Sequence, residues 1–234
     1  MKILIPTSVQ YSHLIEPHYT LFNRNWPGQE LVYLGFDEGE VPELPDNVTF
    51  HSLGTQESFG SNWTDPLIPY IESIEDPYFV VTVEDVMLMK PVDQDRADVL
   101  EQAMKDGAHK AILDSHMNWR ANRGNDDLMI IHNNADYRTT LHPSIWKRKY
   151  FLRYLKRGMT AWDFEQTNMH EAKSDGAIIV SLTDKKDLYY TANVYAKGKP
   201  FPNLKSSNPY GISDNKLTDE MLEDFAYVLG FIND

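Results

Sequence analysis

The chain has no cysteine. That absence excludes a disulfide framework, a thiolate-held zinc and a cysteine nucleophile. No stretch approaches the roughly 18 consecutive apolar residues of a membrane-crossing helix. The opening Met1–Pro6 is too short for a signal peptide, so the expected location is the cytoplasm. No Gly-x-Gly-x-x-Gly follows the first expected strand, which speaks against a dinucleotide cofactor. The 8 histidines show no His-Glu-x-x-His spacing, and no Gly-x-Ser-x-Gly elbow is present. Zinc hydrolase and serine hydrolase chemistry therefore lack their sequence marks. Nothing repeats at a fixed period, and no segment is of low complexity.

Positive charge is also scarce. Lys and Arg total 22 against 35 Asp and Glu, a net charge of −13, which argues against broad nonspecific binding to nucleic-acid phosphates. What the chain does have is 41% hydrophobic and 12% aromatic residues over 234 positions, enough to bury a full core in one domain.

The pattern alternates strands with helices. Strands are expected at Lys2–Thr7, Glu30–Phe36 and Asn47–Leu53, with a helix of about four turns after the first of them. A polar loop at Ser58–Asn62 leads to a helix over Trp63–Glu75, whose Leu67, Ile68, Ile71 and Ile74 share one face. Strand, helix, strand at this spacing predicts parallel pairing of the first two strands. Further on, the expected order is a helix over Asp93–Asp106, a strand at Lys110–Leu113, an irregular polar stretch at Met117–Asp127 and a strand at Leu128–His132. Then come a strand at Tyr137–Leu141, an amphipathic helix at Trp146–Leu155, and another helix opening at Thr160. A strand at Gly176–Leu182 beside Leu188–Tyr195, a Pro- and Ser-rich loop from Gly198 to Tyr210 and a helix at Thr218–Leu229 close the chain.

The centre of this pattern is Pro77–Asp93. Tyr78 to Val83 is an almost unbroken run of β-formers, the mark of a strand covered on both faces. At its carboxyl end stand Glu84 and Asp85, followed at once by the apolar Val86–Met89. Adjacent carboxylates between apolar runs are costly unless a cation meets them. The carboxyl end of a strand in an open α/β sheet is also where ligands bind. The plain alternative is a strand ending in a solvated acidic turn.

Glu84-Asp85, the apolar run and Pro91-Val92-Asp93 resemble the acidic signature of a bacterial and phage glycosyltransferase family with a GT-A-like fold; Glu84 stands where that family has Asp. A second block resembles the same family: Tyr137, Arg138, Leu141, Pro143, Trp146, Gly158 and Trp162-Asp163-Phe164-Glu165, with His142 in place of Gln. The likeness spans roughly residues 60 to 170.

The resemblance implies an α/β, GT-A-like and mostly parallel sheet in a single domain over residues 1–234. The half over about 1–115 would bind the nucleotide sugar, and 116–234 would carry acceptor and catalysis. It implies transfer from a nucleotide sugar, a UDP-sugar with inversion, to a hydroxyl of a polymer. That acceptor would be a bacterial surface glycan or a hydroxymethylated pyrimidine in phage-type DNA. Asp85 with Glu84 would hold a divalent metal, Mn2+ or Mg2+, on the donor diphosphate. Thr7, Asp37 and Trp63 would contact the donor, and Arg138 and Lys147 its phosphates. Glu165 or Asp163 would be the base, Glu165 being preferred because Thr160 and Asp163 already match a helix-capping pattern. Six of the 22 Lys and Arg fall between Lys147 and Arg157, either a solvated helix face or an anion-binding one. The rival from another class is a noncatalytic sugar- or nucleotide-binding module.

Overall fold

The computed structural model describes residues 1–114, 121–124, 127–183, 188–189, 191–193, 195–196, 199–200 and 219–233. Its centre is a nine-stranded sheet. In chain order the strands are β1 (Lys2–Pro6), β2 (Glu30–Gly35), β3 (Val48–Ser52), β4 (Tyr78–Val81), β5 (Val86–Leu88), β6 (Lys110–Ile112), β7 (Ala121–Arg123), β8 (Leu128–Ile131), β9 (Ser144–Lys147) and β10 (Ile179–Leu182). The order across the sheet is β3-β2-β1-β4-β9-β6-β10-β8-β7, with β5 outside it. The strands β3, β2, β1 and β4 are parallel, β6 and β10 run with them, and β9 and β8 are reversed. The mostly parallel α/β architecture is as expected. The chain steps outward from β1 to β3 and returns to β4 on the other side of β1, so a topological switch point opens between β1 and β4.

Period-2 alternation divides the strand residues between two cores. Ile3 and Ile5 of β1 and Val80 of β4 face one layer, with Phe22 of α1 (Ile15–Asn25) and Leu100. Leu4, Phe79 and Val81 face the other, with Leu67, Ile71, Trp146, Phe151 and Phe164. The short α2 (Gln56–Phe59) precedes α3 (Thr64–Ser73). The helix α4 (Gln94–Lys105) starts on Asp93, whose side chain accepts from the Arg96 N–H. Three helices follow β9: α5 (Arg148–Tyr154), α6 (Ala161–Thr167) and α7 (Met169–Ala172). A small antiparallel pair joins β5 to β11 (Thr191–Asn193), and β12 (Tyr195–Ala196) pairs with β13 (Lys199–Pro200). The closing α8 (Asp219–Asn233) is tied to α1 by an Arg24–Asp224 ion pair.

Several sequence expectations are corrected. Tyr137–Leu141 is a turn rather than a strand, with Tyr137 at φ 60. Its threonines do favour strands, but the turn is fixed by the burial of Arg138. The helix expected from Trp146 begins at Arg148, because Ser144–Lys147 pairs on both sides as β9. Gln56–Phe59 adds a helical turn beside the expected polar loop, and Ala121–Arg123 pairs with β8 inside a stretch expected to be irregular. The strand from Thr191 pairs with β5 rather than beside β10. The span 201–218, most of the expected loop, lies outside the described residues.

Candidate functional site

A cleft of about 300 Å3 opens at the carboxyl edge of the sheet, at the β1/β4 switch point. Its walls are apolar and aromatic, including Tyr11, Phe36, Leu53 and Trp63, and its floor carries Glu84 and Asp85. Thr7, directly after β1, is also on the lining. Its N–H donates to Leu34 O at 2.9 Å and its hydroxyl to Ile5 O at 3.1 Å, which fixes the chain where it leaves the sheet. Gly35, at the end of β2, is needed for packing: a Cβ there would meet the Phe50 ring at 2.6 Å.

Four of the residues expected to bind the donor therefore meet in one cleft: Thr7, Trp63, Glu84 and Asp85. Trp63 is half-buried, with its N–H on Met159 O at 2.7 Å and its ring 5.4 Å from that of Phe164. It is thus a fixed wall of the cleft as well as the anchor of α3. Sequence reasoning missed Ser8, Tyr11, Phe36, Gln56 and Asn62, which also line it. Phe36 ends the second expected strand and Ser8 directly follows the first, so the rule that ligands gather at strand ends could have found them.

The acid pair is electrostatically strained. Burial, and then the neighbouring Asp85 charge, push the Glu84 carboxyl well above the usual carboxylate range, against the Ser8 N–H that bonds it. Burial likewise raises the Asp85 carboxyl to about 6. Among the described residues lining the cleft there is no Lys, Arg or His. An anion entering it would meet these carboxylates without any cationic side chain between. Such a site favours a bound cation: deprotonated together, the pair offers hard oxygen ligands of the kind Mg2+ and Mn2+ prefer. Among the described residues, no group of three or more His, Asp and Glu could hold a metal. The fit is therefore to a cation that two carboxylates hold on one side and a ligand or water completes on the other.

The remaining candidates lie elsewhere. Asp37 is on the β2–β3 turn, accepting from the Ser52 hydroxyl while its N–H donates to Gly54 O at 2.9 Å. Arg138, expected at phosphate, is fully buried instead. Its Nε donates to Ala172 O, Nη1 to His132 O and Ile131 O, and Nη2 to Ala177 O and Asp175. All five guanidinium N–H groups are thereby used, and none is left for a phosphate. Lys147 lies opposite Tyr78, at the amino end of β4. The cleft is at the other end, three strand rises or about 10 Å beyond, so Lys147 does not belong to it.

Asp163 and Glu165 both have structural partners. Thr160 and Asp163 form a reciprocal capping box at the start of α6, and the Thr160 donors hold the Asp163 carboxyl below the usual range. Thr160→Ala is expected to cost about 1 kcal/mol of stability, read as a lowered urea midpoint. Glu165 accepts from Leu141 N at 2.6 Å and Thr140 Oγ1 at 3.0 Å, pinning the turn that follows Arg138. Neither carboxylate is on the cleft lining, although Ala161 of the same helix is.

The basic stretch from Lys147 to Arg157, which includes α5, is partly compensated. Arg153 Nε lies 3.4 Å and Lys156 Nζ 2.6 Å from the Glu171 carboxylate. Gly158, at φ +78, ends the segment in the left-handed region and places its N–H 2.9 Å from Asp65 Oδ1.

No model of a known protein family and no curated protein matches the sequence. Among solved structures, a cytidylyltransferase from Leptospira borgpetersenii serovar Hardjo-bovis is similar over 100% of this chain and 96% of its own, at 10% identity and a TM-score of 0.50. S. aureus TarS aligns over 80% of this chain and 35% of its own, at 12% identity and a TM-score of 0.49. The galactosyltransferase LgtC, solved with donor and acceptor sugar analogs, aligns over 65% of this chain at 13% identity and a TM-score of 0.42. This chain spans 60% of the length of that LgtC chain. At these identities the likeness concerns the fold alone. Among the described residues, no helix is long and apolar enough to cross a membrane.

Proposed function

We propose that the protein is a nucleotide-sugar-dependent glycosyltransferase that seats its donor in the β1/β4 cleft. One observation carries this reading: Glu84 and Asp85 stand at the switch point, on the floor of an aromatic-walled cleft whose described lining has no basic side chain. A donor diphosphate needs its charge neutralised, and Glu84 and Asp85 would hold a divalent cation, Mn2+ or Mg2+, for that task. When bound, the cation would act as a Lewis acid that stabilises the departing nucleoside diphosphate. Trp63 and Phe36 offer faces for the base or sugar, and Thr7 and Ser8 offer polar groups at the carboxyl end of β1. The UDP-sugar donor is the form of this reading put to test first.

The acceptor in this reading is a hydroxyl of a bacterial surface glycan. A hydroxymethylated pyrimidine in DNA is less favoured. The basic stretch Lys147–Arg157 that would track a phosphate backbone shares two of its cations with Glu171, and the whole chain carries a net charge of −13. A gel-shift titration with plain and hydroxymethylcytosine DNA at two salt concentrations should show no specific complex.

The central test incubates the protein with UDP-, GDP- and TDP-sugars and Mn2+ or Mg2+ and follows nucleotide release. Release with at least one donor is expected; donor binding without any release would favour a noncatalytic module. Calorimetry gives a second readout. Donor affinity should drop in EDTA, and in Mn2+ it should fall as the pH is lowered through about 6, where the Asp85 carboxyl takes up its proton.

A further inference from the structure

Trp162 directly follows Ala161, which lines the cleft, and the fold leaves its indole uncovered. It keeps 68% of its surface open, more than any other large hydrophobic residue among those described. Aromatic side chains of this size are ordinarily spent on the core, where their area contributes most. The first turn of α6 does not call for an indole either. Tryptophan is only an average helix former, and the capping box of Thr160 and Asp163 already secures the turn.

Helix periodicity puts Ala161, Phe164 and Asn168 on one face, where Phe164 and Asn168 are fully buried and Ala161 packs against the core. Trp162 stands one step of about 100° round from Ala161, which carries it out of the core to the rim of the cleft. The entry to α6 is locked onto the cleft wall. Met159 O accepts from the N–H of Trp63 at 2.7 Å and of Thr64 at 3.1 Å, and Thr64 Oγ1 donates to Lys156 O at 2.6 Å. Gly158 N–H is held on Asp65, and the Phe164 ring packs 5.4 Å from that of Trp63. The backbone of Trp162 is thereby fixed relative to the cleft, while its ring stands in water.

A pyranose carries a face of C–H bonds, made slightly positive by its oxygens, and keeps its hydroxyls at the edge. Laid on the electron-rich face of an indole, it buries apolar area while the hydroxyls stay hydrated. We propose that Trp162 is the platform on which a pyranose of the acceptor stacks, holding its hydroxyl towards the donor in the β1/β4 cleft. This rests on the glycosyltransferase reading above and adds its acceptor side. The acceptor oxygen must reach the donor through the mouth of the same cleft, and α6 contributes to that cleft through Ala161. Charge favours a neutral sugar over a base in a nucleic acid. Asp163, next in the chain, accepts from Thr160 N at 3.1 Å and Thr160 Oγ1 at 2.7 Å, and Glu84 and Asp85 lie on the cleft floor. The phosphates flanking a base would meet negative charge on both sides of the indole. Trp162 acts as a positioning residue.

The test uses the full chain with the methyl glycosides of glucose, galactose and N-acetylglucosamine. Saturation-transfer NMR reads the contact without turnover: the C–H protons of one ring face should receive magnetisation from the wild type and lose it with Trp162→Ala. In turnover with the most active donor of the nucleotide panel, Trp162→Ala should raise the acceptor KM about tenfold and leave donor affinity within about twofold. Release of nucleotide to water, with no acceptor present, should be unchanged, and so should the melting temperature, because the ring is exposed. Trp162→Tyr should restore most of the acceptor KM, which a role confined to the helix would not require. Transfer to no glycoside, or equal transfer from wild type and Trp162→Ala, would overturn the proposal. So would hydroxymethylcytosine DNA that displaces the glycosides through Trp162, which would make the ring a base platform. A wild-type dimer that Trp162→Ala turns into a monomer would make it a contact between copies instead. If the wild type releases nucleotide from no donor, the glycosyltransferase reading falls and the acceptor role with it; an active wild type and an active variant with equal acceptor KM remove Trp162 alone.

Discussion

Asp85→Asn is expected to raise the melting temperature at pH 8 and to leave it unchanged at pH 3. The Asp85 carboxyl is raised in the folded protein from 3.8 to about 6. A group whose folded value is raised supports the fold fully below its unfolded value, and that support is lost as the pH rises through the folded value. For Asp85 the window runs from 3.8 to about 6, so above it the folded protein carries the whole cost of an ionised, poorly solvated carboxylate. At pH 8 the difference is at most about 3 kcal/mol, or about 6–12 °C for a chain of this size. Glu84→Gln should act in the same direction, since burial and the Asp85 charge raise its carboxyl further. The two titrate as a pair, so the double variant should gain less than the sum. The same substitutions should abolish the Mn2+ dependence of donor binding. More stable variants that no longer respond to Mn2+ would mark the pair as kept for a cation. A lower melting temperature at pH 8 would show that the carboxylates already have a compensating partner.

Arg138→Met should be the most damaging single substitution outside the aromatic core. Four backbone carbonyls lose their donor, and the buried Asp175 carboxylate loses its cation. Breaking a buried pair in this way costs about 3–5 kcal/mol, because the remaining charge stays in a poorly solvated place. Burial works to raise the Asp175 carboxyl. Hydrogen bonds from Tyr154, the Ala177 N–H and Tyr150, with the Arg138 charge, override it and hold the carboxyl below the usual range. Arg138→Lys should not rescue stability, since three ammonium donors cannot replace a planar fork of five. The double variant Arg138→Met with Asp175→Asn should lose less than the two single variants added together. Urea midpoints measure all of these; a midpoint for Arg138→Met within experimental error of wild type would remove the network from the account of stability.

Lys110 shows why such residues are hard to place beforehand. It opens a short strand and reads as a surface cation, yet it is fully buried with its Nζ 4.0 Å from the centroid of the Trp146 ring. Burial lowers its basicity well below that of an ordinary lysine. Its two carbonyl acceptors belong to Arg138 and Thr140, about thirty residues later, so no local pattern could have named them. The same holds for Tyr137–Leu141. Its β-branched threonines have strand propensity, but Glu165 and Arg138, tied to distant partners, bend it into a turn.

The sequence by itself determined the alternation of strands and helices, the parallel start of the sheet and the carboxyl-end position of Glu84 and Asp85. These depend on period-2 and period-3.6 patterns and on strand-end rules, which act over a few neighbouring residues. The capping pattern of Thr160 with Asp163 was legible for the same reason. Only the tertiary structure decided that β9 is inserted antiparallel between β4 and β6, that Trp63 and Phe36 wall the acid pair, and that Arg138 is spent on the fold while Asp114 meets His142. Each of these joins residues far apart in the chain, and the pairing is selected by burial and by the need to satisfy every buried polar group, neither of which a local pattern encodes.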